Sequence, residues 1–252
     1  SLKGRADLNL DPTWVGIFSE AIGAVAVVMI LGLSPRFKHR AVVFRAAGYE
    51  GWAALGLFGA ALALAYVLLP WQGLNSLVPL SLAELWPRFT TALVGAGAAL
   101  LALRVRRQPL ASILLAKGGL GPGFQMGLAL VFLSIFLRAK IRVLFAGIDA
   151  EQVTALFVWL GTAAGQEILL RGFVQTRLMG WLGKTPGWLL TAALSAVWML
   201  PLWLPGGSLA GVLLFAGVAF LQALLLGWMA RRTGHLLAGV LFLTGSSWLW
   251  VI

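Results

Sequence analysis

Long apolar stretches dominate this chain and alternate with short segments that carry most of its charges. Residues 51–70 contain no charged side chain, and neither do residues 206–230. A helix needs about 20 consecutive, mostly apolar residues to cross a bilayer. The pattern therefore predicts eight membrane-spanning helices, at residues 13–33, 51–70, 89–105, 123–137, 153–175, 187–204, 208–230 and 234–251.

The overall composition supports this prediction and indicates the fold class. Hydrophobic residues make up 60% of the chain and charged residues 11%, whereas soluble domains carry about 25% charged residues. We therefore expect an all-α fold, a polytopic transmembrane helical bundle. The first four spans lie in residues 1–149 and the last four in residues 150–252, and we expect these to form an N-terminal and a C-terminal unit.

The side chains that usually hold metals and cofactors are scarce. The chain has no cysteine and two histidines, His39 and His235, which excludes disulfides and thiolate metal sites. Histidine-ligated metal and haem sites usually need two or more imidazoles. The glycine-rich segment at 118–123 lacks the Lys and Ser/Thr of a phosphate-binding loop. We therefore predict no metal and no cofactor.

The formal net charge of +11 lies mainly in the loops between the apolar stretches. Lys and Arg in such loops set orientation and contact anionic lipid headgroups, so this charge indicates membrane lipids as partners and not nucleic acid. Twelve bases lie on one predicted side of the membrane and six on the other. The positive-inside rule then places both termini outside the cytoplasm, although RAKIR at 138–142 opposes that orientation.

Small residues recur along several of the predicted spans. Gly56 and Gly59 lie in the second span, and Gly95 and Gly97 lie in the third. Because glycine has no side chain, it lets two helix backbones approach closely in lipid. We therefore expect these glycines to lie at contacts between helices.

Charged side chains within a span are costly and therefore informative. Glu20 lies about two turns into the first span, and we predict a partly hydrated position for it near the membrane surface. Gln166, Glu167 and Arg171 lie in the otherwise apolar fifth span. Glu167 and Arg171 are four residues apart, so they share one helix face in the order that favours an ion pair. By spacing alone, a pair that only fixes helix packing is an equally good interpretation.

The segment QEILLRGFVQTRL resembles the first motif of the CPBP family, which comprises the type II CAAX prenyl endopeptidases and the bacterial Abi-type proteins. That motif has two adjacent glutamates, three further residues and an arginine, usually followed by glycine. Here the second glutamate is Glu167, the arginine is Arg171 and the glycine is Gly172. The resemblance covers about residues 150–252 and implies that the last four spans form the four-helix core of the family.

The positions that carry the chemistry of the family differ in this chain. The resemblance implies that the first glutamate activates water, but this position is Gln166, whose amide has no basic oxygen. The second motif has an aromatic residue and, four positions later, a histidine, and it aligns with Trp198 and Leu202. The third has a histidine and, four positions later, Asn or Asp, and it aligns with Leu243 and Ser247.

Neither histidine of the chain fills these positions. His39 lies in the first loop, and His235 begins the last span about two turns before the aligned position. The resemblance therefore implies a fold that is kept and a chemistry that is lost. We interpret Gln166, Glu167, Arg171 and Trp198 as binding residues, and assign no catalytic residue.

These observations favour a non-catalytic, CPBP-like integral membrane protein of the bacterial inner membrane. It is predicted to act as a binding or scaffold subunit for another integral membrane protein or for a lipid-like ligand. One alternative is an active intramembrane endopeptidase with a rearranged site, in which Glu167 works with His235. A second alternative is a small-molecule transporter, although the two halves show no matching broken helices.

Overall fold

The structure is a computed structural model that describes residues 12–34, 37, 42–68, 82–200 and 208–252. These ranges contain helices and turns and no strand, which confirms the predicted all-α class. The α-helices of the described ranges are α1 Pro12–Gly32, α2 Ala47–Leu68, α3 Leu82–Val105, α4 Leu120–Leu137, α5 Ile141–Ala146, α6 Ala150–Glu167, α7 Thr176–Leu182, α8 Lys184–Met199, α9 Leu209–Thr233 and α10 Leu237–Trp248.

Each of the eight predicted spans coincides with a helix of this bundle. Three of the spans correspond to the apolar helices α1, α8 and α10, of which α8 has 16 residues and α10 has 12. The other five are long and apolar enough to cross a membrane, and they comprise Ala47–Val67, Leu85–Val105, Leu110–Leu137, Ala150–Leu182 and Leu209–Thr233.

Helix α3 begins seven residues before the predicted start of the third span at residue 89. The charged and proline-containing segment at its start hid this extension from the hydrophobic pattern. Pro87 lies inside the helix, and the hydroxyl groups of Thr90 and Thr91 donate to its carbonyl oxygen at 3.1 and 2.7 Å. Arg88 is 8% exposed, so its charge lies within the bundle and does not mark a loop.

A capping box starts α6, the helix that ends at Glu167. The Asp149 carboxylate accepts the backbone N–H of Gln152 at 2.8 Å, and the Gln152 side chain accepts the backbone N–H of Asp149 at 3.1 Å. These bonds satisfy N–H groups that have no partner within the helix. From there α6 continues through a π-helical segment, Ile168–Gln175, into α7, giving one helix of 33 residues.

This long helix lies between two apolar core regions. One side of it packs against α3 and the other against α10, while α1 packs mainly against α4 and α8 against α9. The contact with α3 depends on Gly165, because a Cβ atom there would lie 2.6 Å from the carbonyl oxygen of Ala92. A side chain at this position would push α3 and α6 apart, so the glycine fixes their close approach.

The expectation that paired glycines mark helix contacts is confirmed at one of the four positions. A Cβ atom on Gly95 would lie 3.2 Å from the ring of Trp198, so this glycine does lie at a helix contact. For Gly56, Gly59 and Gly97, no contact from another described residue lies within 4 Å of such a Cβ, and the expectation is wrong for them. The spacing identifies a helix face but does not show which face a neighbour covers.

Candidate functional site

The Glu167–Arg171 pair lies near the middle of the 33-residue helix, where the winding changes. Glu167 ends α6, and Arg171 lies in the π-helical segment that follows. The predicted ion pair is confirmed: Arg171 Nε lies 3.5 Å from Glu167 Oε1, and both side chains are buried. Such π-helical segments are rare and occur frequently at functional sites.

The two partners are poorly satisfied as hydrogen-bonding groups. Neither carboxylate oxygen of Glu167 accepts a hydrogen bond from any described residue, and Arg171 Nε donates none. Arg171 Nη1 does donate to Ser195 Oγ on α8 at 3.1 Å. Buried polar groups are nearly always bonded, so three unbonded atoms in one pair mark an unusual place in the bundle.

Glycine on the neighbouring helix makes room for this carboxylate. A Cβ atom on Gly239 of α10 would clash with Glu167 Oε2, so the carboxylate lies directly against the backbone of α10. A single-sequence pattern does not reveal this contact, because Gly239 is one of many glycines in apolar stretches. The absence of a side chain at 239 lets α6 and α10 pack closely around a buried charge.

A cavity of about 640 Å³ lies beside the pair. Glu167, Arg171 and Ser195 line its inner part. Its outer part is lined by Ile22 of α1, 71% exposed, and Leu221 of α9, 63% exposed. The cavity therefore opens sideways between α1 and α9, toward the region that lipid would occupy.

A second buried ion pair lines the same cavity. The Glu20 carboxylate pairs with Arg138 and accepts a hydrogen bond from Ser134 Oγ at 2.5 Å. Arg138 also donates to the carbonyl oxygen and the hydroxyl of Ser246, at 2.6 and 2.9 Å, and lies 4.2 Å from the Trp250 ring centroid. Each carboxylate oxygen of Glu20 thus accepts a hydrogen bond from a described side chain, whereas Arg138 Nε has no acceptor among the described residues.

The hydrated surface position predicted for Glu20 is wrong. Its side chain is 4% exposed, because α4 brings Arg138 and Ser134 against α1. The sequence marked Arg138 only as a base on the unexpected side of the membrane. Its role as a buried partner depends on which helices are neighbours, which the order of spans does not show.

A third buried carboxylate lies at the other end of the bundle. Glu50 Oε1 accepts from Arg106 Nη2 at 2.7 Å and from Gln108 Nε2 at 2.8 Å, while Glu50 Oε2 accepts from Arg177 Nε at 3.2 Å. Arg177 is fully buried and also donates to the carbonyl oxygen of Phe173 at 3.2 Å. The sequence does not reveal this cluster, since its members come from three separate segments of the chain.

Most of the positions aligned with the family motifs lie at the cavity. Gln166, Leu243 and Ser247 line the cavity together with Glu167 and Arg171.

The predicted binding residue Trp198 lies elsewhere. Its ring is 1% exposed and packs against Phe58 of α2, with ring centroids 5.9 Å apart. It therefore belongs to the core between α2, α3 and α8 and does not join the other predicted binding residues at the cavity. Leu202 lies outside the described residues.

The histidines do not supply the missing imidazoles at the described part of this site. His235 lies between α9 and α10, and its Nδ1 accepts the backbone N–H of Leu237 at 3.0 Å. Burial lowers the pKa of His235, which favours the neutral ring that this bond needs. His39 lies outside the described residues. In the described ranges, no three His, Asp or Glu side chains come close enough to hold a metal ion.

The fold and the site together define a multi-pass integral membrane protein with a partly polar cavity inside its helix bundle. Residues 150–248 match the model of the family described as type II CAAX prenyl endopeptidase Rce1-like. The match begins at the start of α6 and ends with α10, so it includes the Glu167–Arg171 pair. No curated protein and no solved structure matches the chain.

Proposed function

We propose that this chain is a non-catalytic member of the Rce1-like group that binds another integral membrane protein or a lipid-like ligand. In this proposal it is a pseudoenzyme of the CPBP family, to which the bacterial Abi-type proteins also belong, and it serves as a binding or scaffold subunit. The cavity between α1 and α9 is the binding site. Glu167 and Arg171 form its polar floor.

One observation carries the proposal: side chains without acid–base chemistry occupy the cavity at the aligned motif positions. Gln166 lines the cavity where the family has its first glutamate, and Leu243 lines it where the family has a histidine. An amide is not a general base near neutral pH, and a leucine side chain has no proton to transfer. Ser247, aligned with the family's amide or carboxylate, lines the cavity as well.

The features that the cavity retains are those that binding needs. It is open toward lipid, and most of its lining is apolar, with polar groups from the Glu167–Arg171 pair, the Glu20–Arg138 pair and their neighbours. Pockets of about 300–1,000 Å³ with this division are typical of small-ligand sites. The retained ion pair also has a structural reason, because removal of one partner would leave an uncompensated buried charge.

The distribution of bases supports an orientation in the membrane. Several Arg and Lys residues lie at the end of the bundle where α3 ends and α8 begins, including Arg104, Arg106 and Lys184. Under the positive-inside rule that end faces the cytoplasm. The proposed location, the bacterial inner membrane, rests on the resemblance to the family of the bacterial Abi-type proteins.

Purification of the tagged protein from its native membrane in mild detergent tests the binding function. The expected result is a stoichiometric partner, either a membrane protein or a lipid-like molecule. Leu221→Trp at the mouth of the cavity should reduce the amount recovered, and Leu213→Trp on the same helix, where the side chain is 64% exposed, should not. Recovery of the pure chain with no stoichiometric companion would contradict the proposal.

A second candidate is an active endopeptidase with a rearranged site. It is favoured by the two unbonded carboxylate oxygens of Glu167 at the cavity, since a carboxylate of this kind is able to hold a water molecule. This candidate predicts that the wild-type protein cleaves a prenylated CAAX peptide. It also predicts that Glu167→Gln abolishes cleavage while the folded protein is retained.

A further inference from the structure

The unbonded atoms of the cavity floor form a matched acceptor and donor. Glu167 Oε1 accepts no hydrogen bond from the described residues, Arg171 Nε donates none, and the two atoms lie 3.5 Å apart. A hydroxyl group both donates and accepts. Both atoms are buried, so a hydroxyl in the cavity reaches them when the side chains of the pair shift toward it. It would then donate to the carboxylate and accept from the guanidinium.

The charges of the floor disfavour an ionic ligand. An anionic group near the pair would meet Glu167, and a cationic group would meet Arg171. Both residues also lie near the middle of a 33-residue membrane-spanning helix. An ionic group is costly to place at such depth. A neutral hydroxyl that is hydrogen-bonded avoids most of that cost.

The walls of the cavity fit an apolar chain. Phe215, Val218 and Leu224 of α9 line it beyond the pair. The opening between Ile22 and Leu221 leads from this apolar part to the surface of the bundle. A single hydrocarbon chain is thus able to enter from the bilayer without passing through water.

We propose that the cavity binds a neutral, single-chain amphiphile with a hydroxyl head, of the class of long-chain alcohols and monoacylglycerols. The hydroxyl lies between Glu167 and Arg171, and the chain lies against α9. This inference rests on the proposed binding function and specifies the chemistry of its ligand.

Four probes with the same chain and different heads test the inference on the delipidated wild-type protein. They are oleyl alcohol, methyl oleate, oleic acid and oleylamine, each competing with radiolabelled oleyl alcohol. The alcohol should bind about tenfold tighter than the methyl ester, because the ester has no donor for the carboxylate. Tighter binding of the acid or the amine would overturn the inference, and so would equal binding of alcohol and ester.

Variants locate the binding site. Ala219→Trp, which fills the cavity from α9, should abolish saturable binding of oleyl alcohol, whereas Ala210→Trp at an exposed position of the same helix should not. The double variant with Glu167→Leu and Arg171→Leu should still bind both neutral probes but lose the tenfold preference for the alcohol. Unchanged binding in Ala219→Trp, or an unchanged preference in the double variant, would contradict the proposed site.

The outcome separates this inference from the function on which it rests. A protein that binds none of the four probes but co-purifies with a stoichiometric partner overturns the ligand class and leaves the binding function intact. A wild-type protein that cleaves peptide overturns the non-catalytic function, whatever the probes show.

Discussion

Glu50 and Glu167 are both buried carboxylates beside an arginine, yet their surroundings differ completely. Glu50 accepts three hydrogen bonds, from Arg106, Gln108 and Arg177. Glu167 accepts none from the described residues and has its arginine at 3.5 Å. The first carboxylate ties together segments of the bundle, whereas the second lies at an open cavity with bonding capacity to spare.

The Glu20–Arg138 pair shows that the cavity does not cause this difference by itself. Glu20 also lines the cavity, but Ser134 and Arg138 satisfy its oxygens. Unbonded donors also line the cavity at Arg138 Nε and Trp159 Nε1, but Glu20 and Glu167 differ as acceptors, because both oxygens of Glu167 accept nothing from the described residues. A saturated carboxylate stabilises the fold, and an unsaturated one is available to a ligand.

The largest expected loss of stability comes from a change in the hydrogen-bonded cluster around Glu50. Arg177→Ala should lower the free energy of unfolding by about 3–5 kcal/mol, because it removes one partner of a buried charge pair. SDS titration of the protein in mixed micelles measures this value. Arg104→Ala, at an exposed position of α3, should change it by no more than about 0.5 kcal/mol. Equal effects of both variants would show that the Glu50 cluster does not stabilise the bundle.

The unsaturated pair should behave as a coupled unit. Arg171→Ala should cost about 3 kcal/mol, and the double variant with Glu167→Ala should cost less, because it leaves no buried charge unpaired. The same titration measures all three variants. If Glu167→Ala, Arg171→Ala and the double variant were equally stable, the two charges would not be buried as a pair.

Because Gly239 packs closely against Glu167, a side chain at position 239 should cause a smaller loss of stability. Gly239→Ala should destabilise the protein by about 1–3 kcal/mol, because the added methyl group meets the carboxylate and forces a shift in a packed core. Gly97→Ala is the matched control, since open space surrounds that position. It should be neutral or stabilise the helix by about 0.5–1 kcal/mol. Thermal unfolding in detergent compares the two, and a harmless Gly239→Ala would contradict the contact.

The smallest expected effect is a pH dependence of the stability, and it comes from His235, which is in neither carboxylate site. Burial lowers the pKa of His235, so the unfolded chain binds a proton more readily than the folded protein does. The stability that neutral His235 contributes is therefore present above its unfolded pKa, about 6.5, and is lost as the pH falls below it. Wild-type stability measured between pH 7.5 and 5.5 should fall more than that of His235→Asn, whose side chain also accepts the Leu237 N–H. If the stability of both proteins changed equally with pH, neutral His235 would not contribute to the stability.

The sequence predicted the elements of the fold well because hydrophobic length is a local property. All eight spans coincide with helices, and the spacing of Glu167 and Arg171 predicted their pairing. It did not predict the pairing of Glu20 with Arg138, whose members are 118 residues apart. It also did not identify Gly239 as the glycine beside Glu167. Contacts of this kind depend on which helix faces meet.

The sequence also does not show which neighbour a side chain meets in the case of Trp198. The family motif placed it in the predicted site, but an apolar ring inside a span fits a core as well as a cavity. Its packing against Phe58 depends on the position of α2, for which the resemblance gives no motif. Gln166, Glu167 and Arg171 do line the cavity, since a polar group inside the membrane needs a specific reason to be there, and their role in binding stays a prediction.

A peptidase assay tests the central claim, a retained cavity without catalysis, most directly. Wild-type protein and Gln166→Glu are each reconstituted in lipid vesicles and incubated with a prenylated CAAX peptide, with an active type II CAAX endopeptidase as positive control. The account predicts no cleavage by either, since restoring the carboxylate at 166 leaves leucine at 243 in place of an imidazole. Cleavage by the wild-type protein, or by Gln166→Glu alone, would contradict the account and identify the chain as a protease.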